Sequence, residues 1–456
     1  MISGIKTDSR EVTQGDLFIA SKGFFVDHSN YIEDAIKNGA KAVVTDIAYQ
    51  ADIPILKRKN LKNALVKSCI HFFDYQDNMN LFAVTGTDGK TTTAYILSEL
   101  LNDKSNTAYM GTNGIRYQNQ TKKIDNTTPL TEKMYAYLST LEKENCQNCV
   151  LEVSSEALLH KRVSSFRFKY AIYTNITEDH LNIHKDINNY IDSKISLTKL
   201  LENDGIIISN GDDSVQKRLQ RIKRHKVVTY GKSKQCDFRI LNIMEKEDRT
   251  YFDLKRENEI YHIESPYLGE YNVYNLTACL VVCYLEKMDI SKVIEKIKRL
   301  NDVPGRGEML NFSKNYKIVL DYAHTYHSIE SLIECFKKKA RRLIVVTGAA
   351  GGREKEKRPK IGKLLLENCD FVIFTMDDPR FESVDSIIDD MLKESSNKNY
   401  LRIVDRKEAI QKSLSIAKKG DYVLIIGKGR DSYMAVENRY ENYSDYEVIK
   451  SYFSKE

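Results

Sequence analysis

The chain has 456 residues, of which 41% are hydrophobic and 29% charged, with a formal net charge of +6. About 150 residues per domain predicts three domains, and the composition is that of an ordinary soluble globular protein. The longest apolar runs, such as Tyr422 to Ile426, fall far short of the ~20 residues a membrane span requires, and the opening Met1-Ile2-Ser3-Gly4-Ile5-Lys6 lacks the basic-then-apolar pattern of a secretory signal.

Residues 1–78 contain short strand-like runs at Leu17 to Ala20 and Ala42 to Thr45, with a helix-like stretch from Tyr31 to Asn38. They predict a small α/β N-terminal domain. Near Leu81 the pattern changes. Leu81-Phe82-Ala83-Val84 has the composition of a short buried strand; a glycine loop follows, then an amphipathic run from Thr91 to Leu101. Strand, glycine loop and helix in that order open a parallel α/β domain, expected over 79–303. Further β-type runs stand at Val150 to Val153, Tyr170 to Tyr173, Ile206 to Ser209 and Val227 to Tyr230. A third section, 304–456, has four buried-strand candidates: Ile318 to Leu320, Leu343 to Val346, Phe371 to Phe374 and Val423 to Ile426. Helical segments separate them, which predicts a Rossmann-like domain with ligands at the C-terminal strand ends.

The glycine loop is the most informative motif. Gly86-Thr87-Asp88-Gly89-Lys90-Thr91 is shorter than the usual phosphate loop, but the physics is the same. Glycines let backbone N–H groups approach phosphate oxygens, and the helix N-terminus adds a favourable dipole. Lys90 is positioned by this pattern to reach the β/γ-phosphates, and the Thr91 hydroxyl to sit on Mg²⁺. Glu152 follows an apolar strand, where a carboxylate metal ligand of such a site belongs. His180, in Thr174-Asn175-Ile176-Thr177-Glu178-Asp179-His180-Leu181, reads equally as a metal ligand or as a polar loop residue.

Eight scattered cysteines fit reduced thiols in a cytoplasmic setting. Cys146 and Cys149 have CxxC spacing, but no second pair or histidine cluster completes a zinc site. Basic clusters at Lys217 to Lys226 and Lys337 to Arg342 read as solvated helix faces, because no aromatic interleaving accompanies them. The mild positive balance suits anionic small substrates.

Taken together, these motifs resemble the Mur ligase family, and most closely its MurE type, the UDP-N-acetylmuramoyl-tripeptide synthetases. Thr7-Asp8-Ser9-Arg10 followed by Gly15-Asp16-Leu17-Phe18 resembles that type's uridine-nucleotide-binding start, and Gly86 to Thr93 its phosphate loop. Asn126-Thr127-Thr128-Pro129, Glu152-Val153-Ser154-Ser155 and Arg162 resemble its muramoyl-peptide contacts. Gly269-Glu270-Tyr271-Asn272-Val273-Tyr274-Asn275, Pro304-Gly305-Arg306 and Asp321-Tyr322-Ala323-His324 resemble its ATP-side motifs. Gly351-Gly352-Arg353, Lys357-Arg358-Pro359 and Asp377-Asp378-Pro379-Arg380 resemble its incoming-amino-acid domain. The order matches along nearly the whole chain.

The resemblance implies an ATP-dependent amide-forming ligase of peptidoglycan precursor synthesis, cytoplasmic and monomeric. It would join a diamino acid to UDP-N-acetylmuramoyl-L-alanyl-D-glutamate through an acyl phosphate. Nucleotide contacts are implied for Gly86, Thr87, Asp88, Gly89, Lys90, Thr91, Thr92, Asn275, Arg306 and Asp321. Ser9, Thr127, Thr128, Ser154, His160 and Arg162 would hold the UDP-linked acceptor. Arg353, Asp377, Asp378, Arg380, Gly427 and Asp431 would hold the amino acid. One Mg²⁺ would rest on Thr91 and Glu152, a second on His180 and a carbamate on Lys194, with Lys90, His180 and Lys194 catalytic.

The chain departs from the family pattern in places. Asp378 replaces the usual Asn of D-N-P-R, and an extra carboxylate there favours a cationic amine, as in lysine; meso-diaminopimelate stays first and L-lysine second. Gly427-Lys428-Gly429-Arg430-Asp431 replaces G-K-G-H-E, Glu156 stands where His is common, Glu178 where Arg is, and Tyr326-His327 where Pro-Asp is. A divergent paralogue with another acceptor, or a nucleotide-binding switch without ligase turnover, are the rival readings.

Overall fold

A computed structural model describes residues 1–20 and 27–454. Three sheets carry the chain. Strands β1 (Ile5–Lys6), β2 (Leu17–Ile19), β3 (Ala42–Thr45) and β4 (Ile55–Lys57) form a parallel sheet in sequential order. Its Ile5, Ile19 and Val44 share one apolar core with Leu61 and Leu65 of the helix Leu61–Phe73 and with Leu81 and Leu138 of the central domain. The small first domain is thus seated on the second by continuous hydrophobic burial.

The central sheet has eleven strands. In chain order they are β5 (Asn80–Thr85), β6 (Thr107–Gly111), β7 (Gly114–Tyr117), β8 (Gln120–Lys122), β9 (Asn148–Glu152), β10 (Phe168–Tyr173), β11 (Leu201–Asn210), β12 (Lys226–Gly231), β13 (Phe238–Lys246), β14 (Arg249–Arg256) and β15 (Glu259–Ser265). In space the order is 15-14-13-12-11-10-5-9-6-7-8. The seven neighbouring strands 13-12-11-10-5-9-6 are parallel, and antiparallel hairpins extend both edges. The sequence reading anticipated the parallel strands β5 and β9 to β12. It passed over β13 to β15 because their buried residues alternate with charged ones, as one-sided edge strands do: Phe252 and Leu254 are buried while Lys255 is exposed.

The chain runs from β5 to β6 on one side and later returns to β10 on the other. Strand β5 therefore stands at a topological switch point, where parallel sheets leave a crevice at their carboxyl ends. The helix Lys90–Leu101 starts there and packs on the almost wholly buried helix Glu270–Leu285.

The C-terminal sheet comprises β16 (Glu308–Leu310), β17 (Lys317–Asp321), β18 (Leu343–Thr347), β19 (Phe371–Phe374), β20 (Tyr400–Arg402) and β21 (Tyr422–Ile426), in the order 16-17-21-18-19-20. All neighbours but β16 and β17 run parallel. Val319, Val345 and Leu424 point to the helices Tyr326–Lys337, Lys357–Asn368 and Val384–Leu392; Ile318, Ile344 and Val423 point to Arg406–Ile416 and Asp445–Phe453. Helices on both faces explain the unbroken apolar runs, since successive strand residues face opposite sides. A hairpin of β22 (Tyr433–Val436) and β23 (Arg439–Asn442) closes the domain beside the cleft. Among the described residues no helix is long and apolar enough to cross a membrane.

Candidate active site

A cleft of about 1250 Å³ lies between the central and C-terminal domains. The phosphate loop forms its floor. Close side-chain approach explains both glycines there: a Cβ on Gly86 would strike the Thr174 hydroxyl, and Gly89, at φ +81°, leaves room for the Asn275 side-chain oxygen. Asn275 in turn accepts a hydrogen bond from the Thr93 hydroxyl at 3.2 Å. The turn after β10 braces the loop. Thr87 N–H donates to the Asn175 carbonyl at 2.7 Å, Asp88 N–H to Asn175 Oδ1 at 3.0 Å, and the Thr174 hydroxyl to the Asp88 carbonyl at 2.6 Å. Lys90 Nζ donates to the carbonyls of Gly86 (3.0 Å) and Thr87 (2.8 Å), and burial pulls its pKa down.

Glu152 ends β9 at the neighbouring strand tip, with 1% of its surface exposed. Its carboxylate accepts from the Thr91 hydroxyl (2.9 Å), the Tyr109 hydroxyl (2.5 Å) and the Thr112 N–H (2.9 Å). Arg306 of the interdomain segment donates to the Thr91 oxygen at 2.9 Å and stacks on Tyr322. Behind it, burial pushes the Asp321 carboxyl up, although the Ala323 N–H donates to it at 2.6 Å.

The acceptor side is built on backbone hydrogen bonds. The Thr128 hydroxyl donates to the Glu152 carbonyl at 2.8 Å and accepts from Ser154 N–H at 3.0 Å. Ser154 caps the helix Ser155–Leu159 through Ala157 N–H. Arg162 donates to the Thr128 carbonyl at 3.2 Å, and the Thr127 and Thr112 hydroxyls lie 3.1 Å apart.

His180 and Lys194 flank the Tyr190 ring. Lys194 is 1% exposed and its Nζ donates to the Gly86 carbonyl at 2.6 Å. Burial, then the nearby Lys90 charge, hold its pKa well below the usual lysine range. Burial likewise lowers His180 to about 4, against the pull of Asp179. Among the described residues no three His, Cys, Asp or Glu side chains gather as a metal cluster.

Across the cleft, the C-terminal domain presents Arg353, Asp377, Asp378, Arg380, Gly427 and Asp431. Among the described residues neither Arg353 nor Arg380 has a carboxylate partner; the Arg380 guanidinium donates to the Gly351 carbonyl, at 3.1 Å. Asp378 differs. Lys428 Nζ and the Ala435 N–H both donate to its Oδ1 at 2.8 Å. Asp378 thus anchors the hairpin as well as lining the cleft, and it shares Lys428 with Asp431. Lys428 also pairs with Asp431 at 3.3 Å, and burial still pushes Asp431 up to about 6.

Of the nucleotide-side residues singled out from sequence, Thr87 to Thr92, Asn275, Arg306 and Asp321 line the cleft, with Gly86 just behind. Thr127, Thr128, Glu152, Ser154, Arg162 and His180 line it too. Ser9, His160 and Lys194 do not. Ser9 is buried in the first domain with its carbonyl bonded to Asn38, His160 ends the helix Ser155–Leu159, and Lys194 lies beneath the phosphate loop. Thr112 and Glu354, which also line it, were not singled out by the sequence. Thr112 follows an apolar strand, a place that many idle polar residues share, and Glu354 lies in the loop between β18 and the helix Lys357–Asn368.

Matches to known proteins follow the same layout. The chain matches the Mur ligase family catalytic domain over 1–74, the Mur ligase middle domain over 84–283, and the Mur ligase glutamate ligase domain over 305–429. It is 35% identical to a UDP-N-acetylmuramoyl-L-alanyl-D-glutamate--2,6-diaminopimelate ligase of Clostridium perfringens, covering 98% of this chain and 94% of that protein. The chain belongs to the Mur ligase family. A Bacillus cereus Mur ligase of the same name is 32% identical over 98% of this chain and 93% of its own. A solved structure of that name superposes with a TM-score of 0.67 at 26% identity, covering 100% of this chain and 95% of its own. This Mur ligase is an acid–amino-acid ligase of the MurE type. Of its departures from the family pattern, Glu156, His327, Asp378 and Asp431 line the cleft, whereas Arg430 turns away to Glu308 and packs over Tyr446 at 3.5 Å.

Proposed function

We propose that this ligase uses ATP to add meso-diaminopimelate to UDP-N-acetylmuramoyl-L-alanyl-D-glutamate. The observation that carries the choice of amino acid is the pair of arginines, Arg353 and Arg380, that line the cleft with no carboxylate partner among the described residues. Guanidinium binds carboxylate bidentately, so two of them suit an amino acid with two carboxylates. The similar proteins named above are diaminopimelate ligases.

In the reaction the acceptor carboxylate attacks the γ-phosphorus of ATP, forming an acyl phosphate and releasing ADP. The amine then attacks the acyl carbon, a tetrahedral oxyanion collapses, and phosphate leaves with a proton lost from nitrogen. Lys90 would exchange its two loop carbonyls for phosphate oxygens, and Arg306 would neutralise the same charge. Thr128, Ser154 and Arg162 would orient the acceptor, and Asp321 would contact the ribose. The Thr91 hydroxyl and Glu152 carboxylate are the hard oxygen donors that Mg²⁺ takes, and Mg²⁺ bound there would supply charge neutralisation on the phosphates. Burial keeps Lys194 near its neutral amine, the form that captures CO₂ as a carbamate with loss of one proton. That carbamate would give His180 an anionic oxygen neighbour.

The direct test is phosphate release with Mg-ATP, UDP-muramoyl dipeptide and a panel of amino acids. Turnover is expected with meso-diaminopimelate, less with L-lysine; the absence of turnover with any diamino acid would overturn the reading. A pH prediction follows from Asp431. Its folded pKa, about 6, lies above the ordinary carboxylate value, so the anion is present above pH 6 and lost below. If that anion holds the substrate ammonium, KM for the amino acid rises about tenfold between pH 7 and pH 5. The Asp431→Asn enzyme should show a flat KM across that range; an unchanged slope would remove Asp431 from amine binding.

A further inference from the structure

The loop that carries Arg353 also grips the central domain. Glu354, the next residue, accepts a hydrogen bond from the backbone N–H of Leu181, at the start of the short helix after His180. Lys357, one turn on, lies 3.7 Å from Glu354 and 3.8 Å from Asp179. Asp179 itself lies 3.3 Å from the His180 ring. Glu354 and Asp179 are both largely shielded, with side chains 16% and 7% exposed, so these contacts are made at low effective dielectric, where charge-assisted bonds are strongest. Other cross-domain contacts at the cleft, such as Lys339 with Glu245 at 3.0 Å and the Thr325 hydroxyl at 3.3 Å from Asp88, do not reach the Asp179–His180 segment.

We propose that Glu354 and Lys357 form a latch that couples amino-acid binding at Arg353 to the position of the Asp179–His180 segment beneath the phosphates. Neither residue touches the reacting atoms; both are positioning residues. Glu354 is held by the central domain, so Arg353 stands at its substrate-facing position only when the domains are closed. A carboxylate docking on Arg353 therefore favours closure by mass action. Closure in turn shields the acyl phosphate from water. With the latch broken, the acyl phosphate forms as before but water competes with the amine, giving free acceptor and phosphate rather than amide.

This inference rests on the ligase reading above, and the experiment separates the two. Phosphate and amide are measured in the same reactions for the native enzyme, Glu354→Ala, Glu354→Gln and Lys357→Gln. No amide from the native enzyme would sink the ligase reading itself. Given native turnover, Glu354→Ala should raise KM for the amino acid about tenfold, the ~1.4 kcal/mol equivalent of one net charge-assisted hydrogen bond, with KM for ATP unchanged. Phosphate released per amide formed should rise from one to two or more. Glu354→Gln keeps an acceptor for Leu181 N–H and should fall between. Lys357→Gln should move both quantities the same way, which keeps the idea testable if Glu354→Ala does not fold. A ratio that stays at one in every soluble variant, or an equal rise in KM for all substrates, would overturn the latch.

Discussion

Replacing Lys194 by alanine should lower kcat/KM about 10³-fold, and added acetate or another short carboxylate should restore part of it. The size reflects the loss of a preorganised charge in a site shielded from water. Lys194 has no role as an exposed cation: it is buried under the phosphate loop, with Nζ on the Gly86 carbonyl and its pKa driven far down. A lysine kept only to donate that one bond would be replaced badly by a carboxylate, since both partners would then be acceptors. Rescue thus discriminates an anionic carbamate from a structural amine. Steady-state phosphate release with and without acetate is the measurement, and full activity in the plain alanine enzyme would exclude the carbamate.

Replacing Asp445 by alanine should cost about 3–5 kcal/mol of C-terminal-domain stability, read as a lowered urea midpoint. Arg406 and Asp445 are both fully buried and paired through two bonds, of 2.9 and 2.8 Å. Removing one partner leaves an uncompensated interior charge. Arg406 also donates to the Ile426 carbonyl at 2.9 Å and the Met376 carbonyl at 3.3 Å. Those carbonyls immediately precede Gly427 and Asp377, so the same loss should loosen the amino-acid pocket. A midpoint within experimental error of the native one would show that the pair contributes no net stability.

Asp378 shows how the fold gives a residue partners that its local sequence does not announce. Asp378 read from sequence is a spare negative charge. In the fold it lies at φ +44°, turned onto Lys428 and the backbone of the closing hairpin. No spacing rule announces that Lys428, fifty residues later, pairs with it. For the two arginines, the pattern and the fold agree: the pattern points to carboxylate binding, and among the described residues neither has a carboxylate partner.

Local chemistry was sufficient for the phosphate loop, the doubly covered C-terminal sheet and the family. Glycine-rich loop, lysine and helix start are contiguous, and buried parallel strands spell themselves as unbroken apolar runs. Those features depend on neighbours in the chain. Everything that requires a partner from another element was decided only by tertiary structure: Glu152 gathering Thr91, Tyr109 and Thr112, Lys194 buried beneath Gly86, and Glu354 reaching Leu181 across the cleft. Burial and pairing set the charge state of each of these groups, and both are properties of the assembled fold rather than of any segment of sequence.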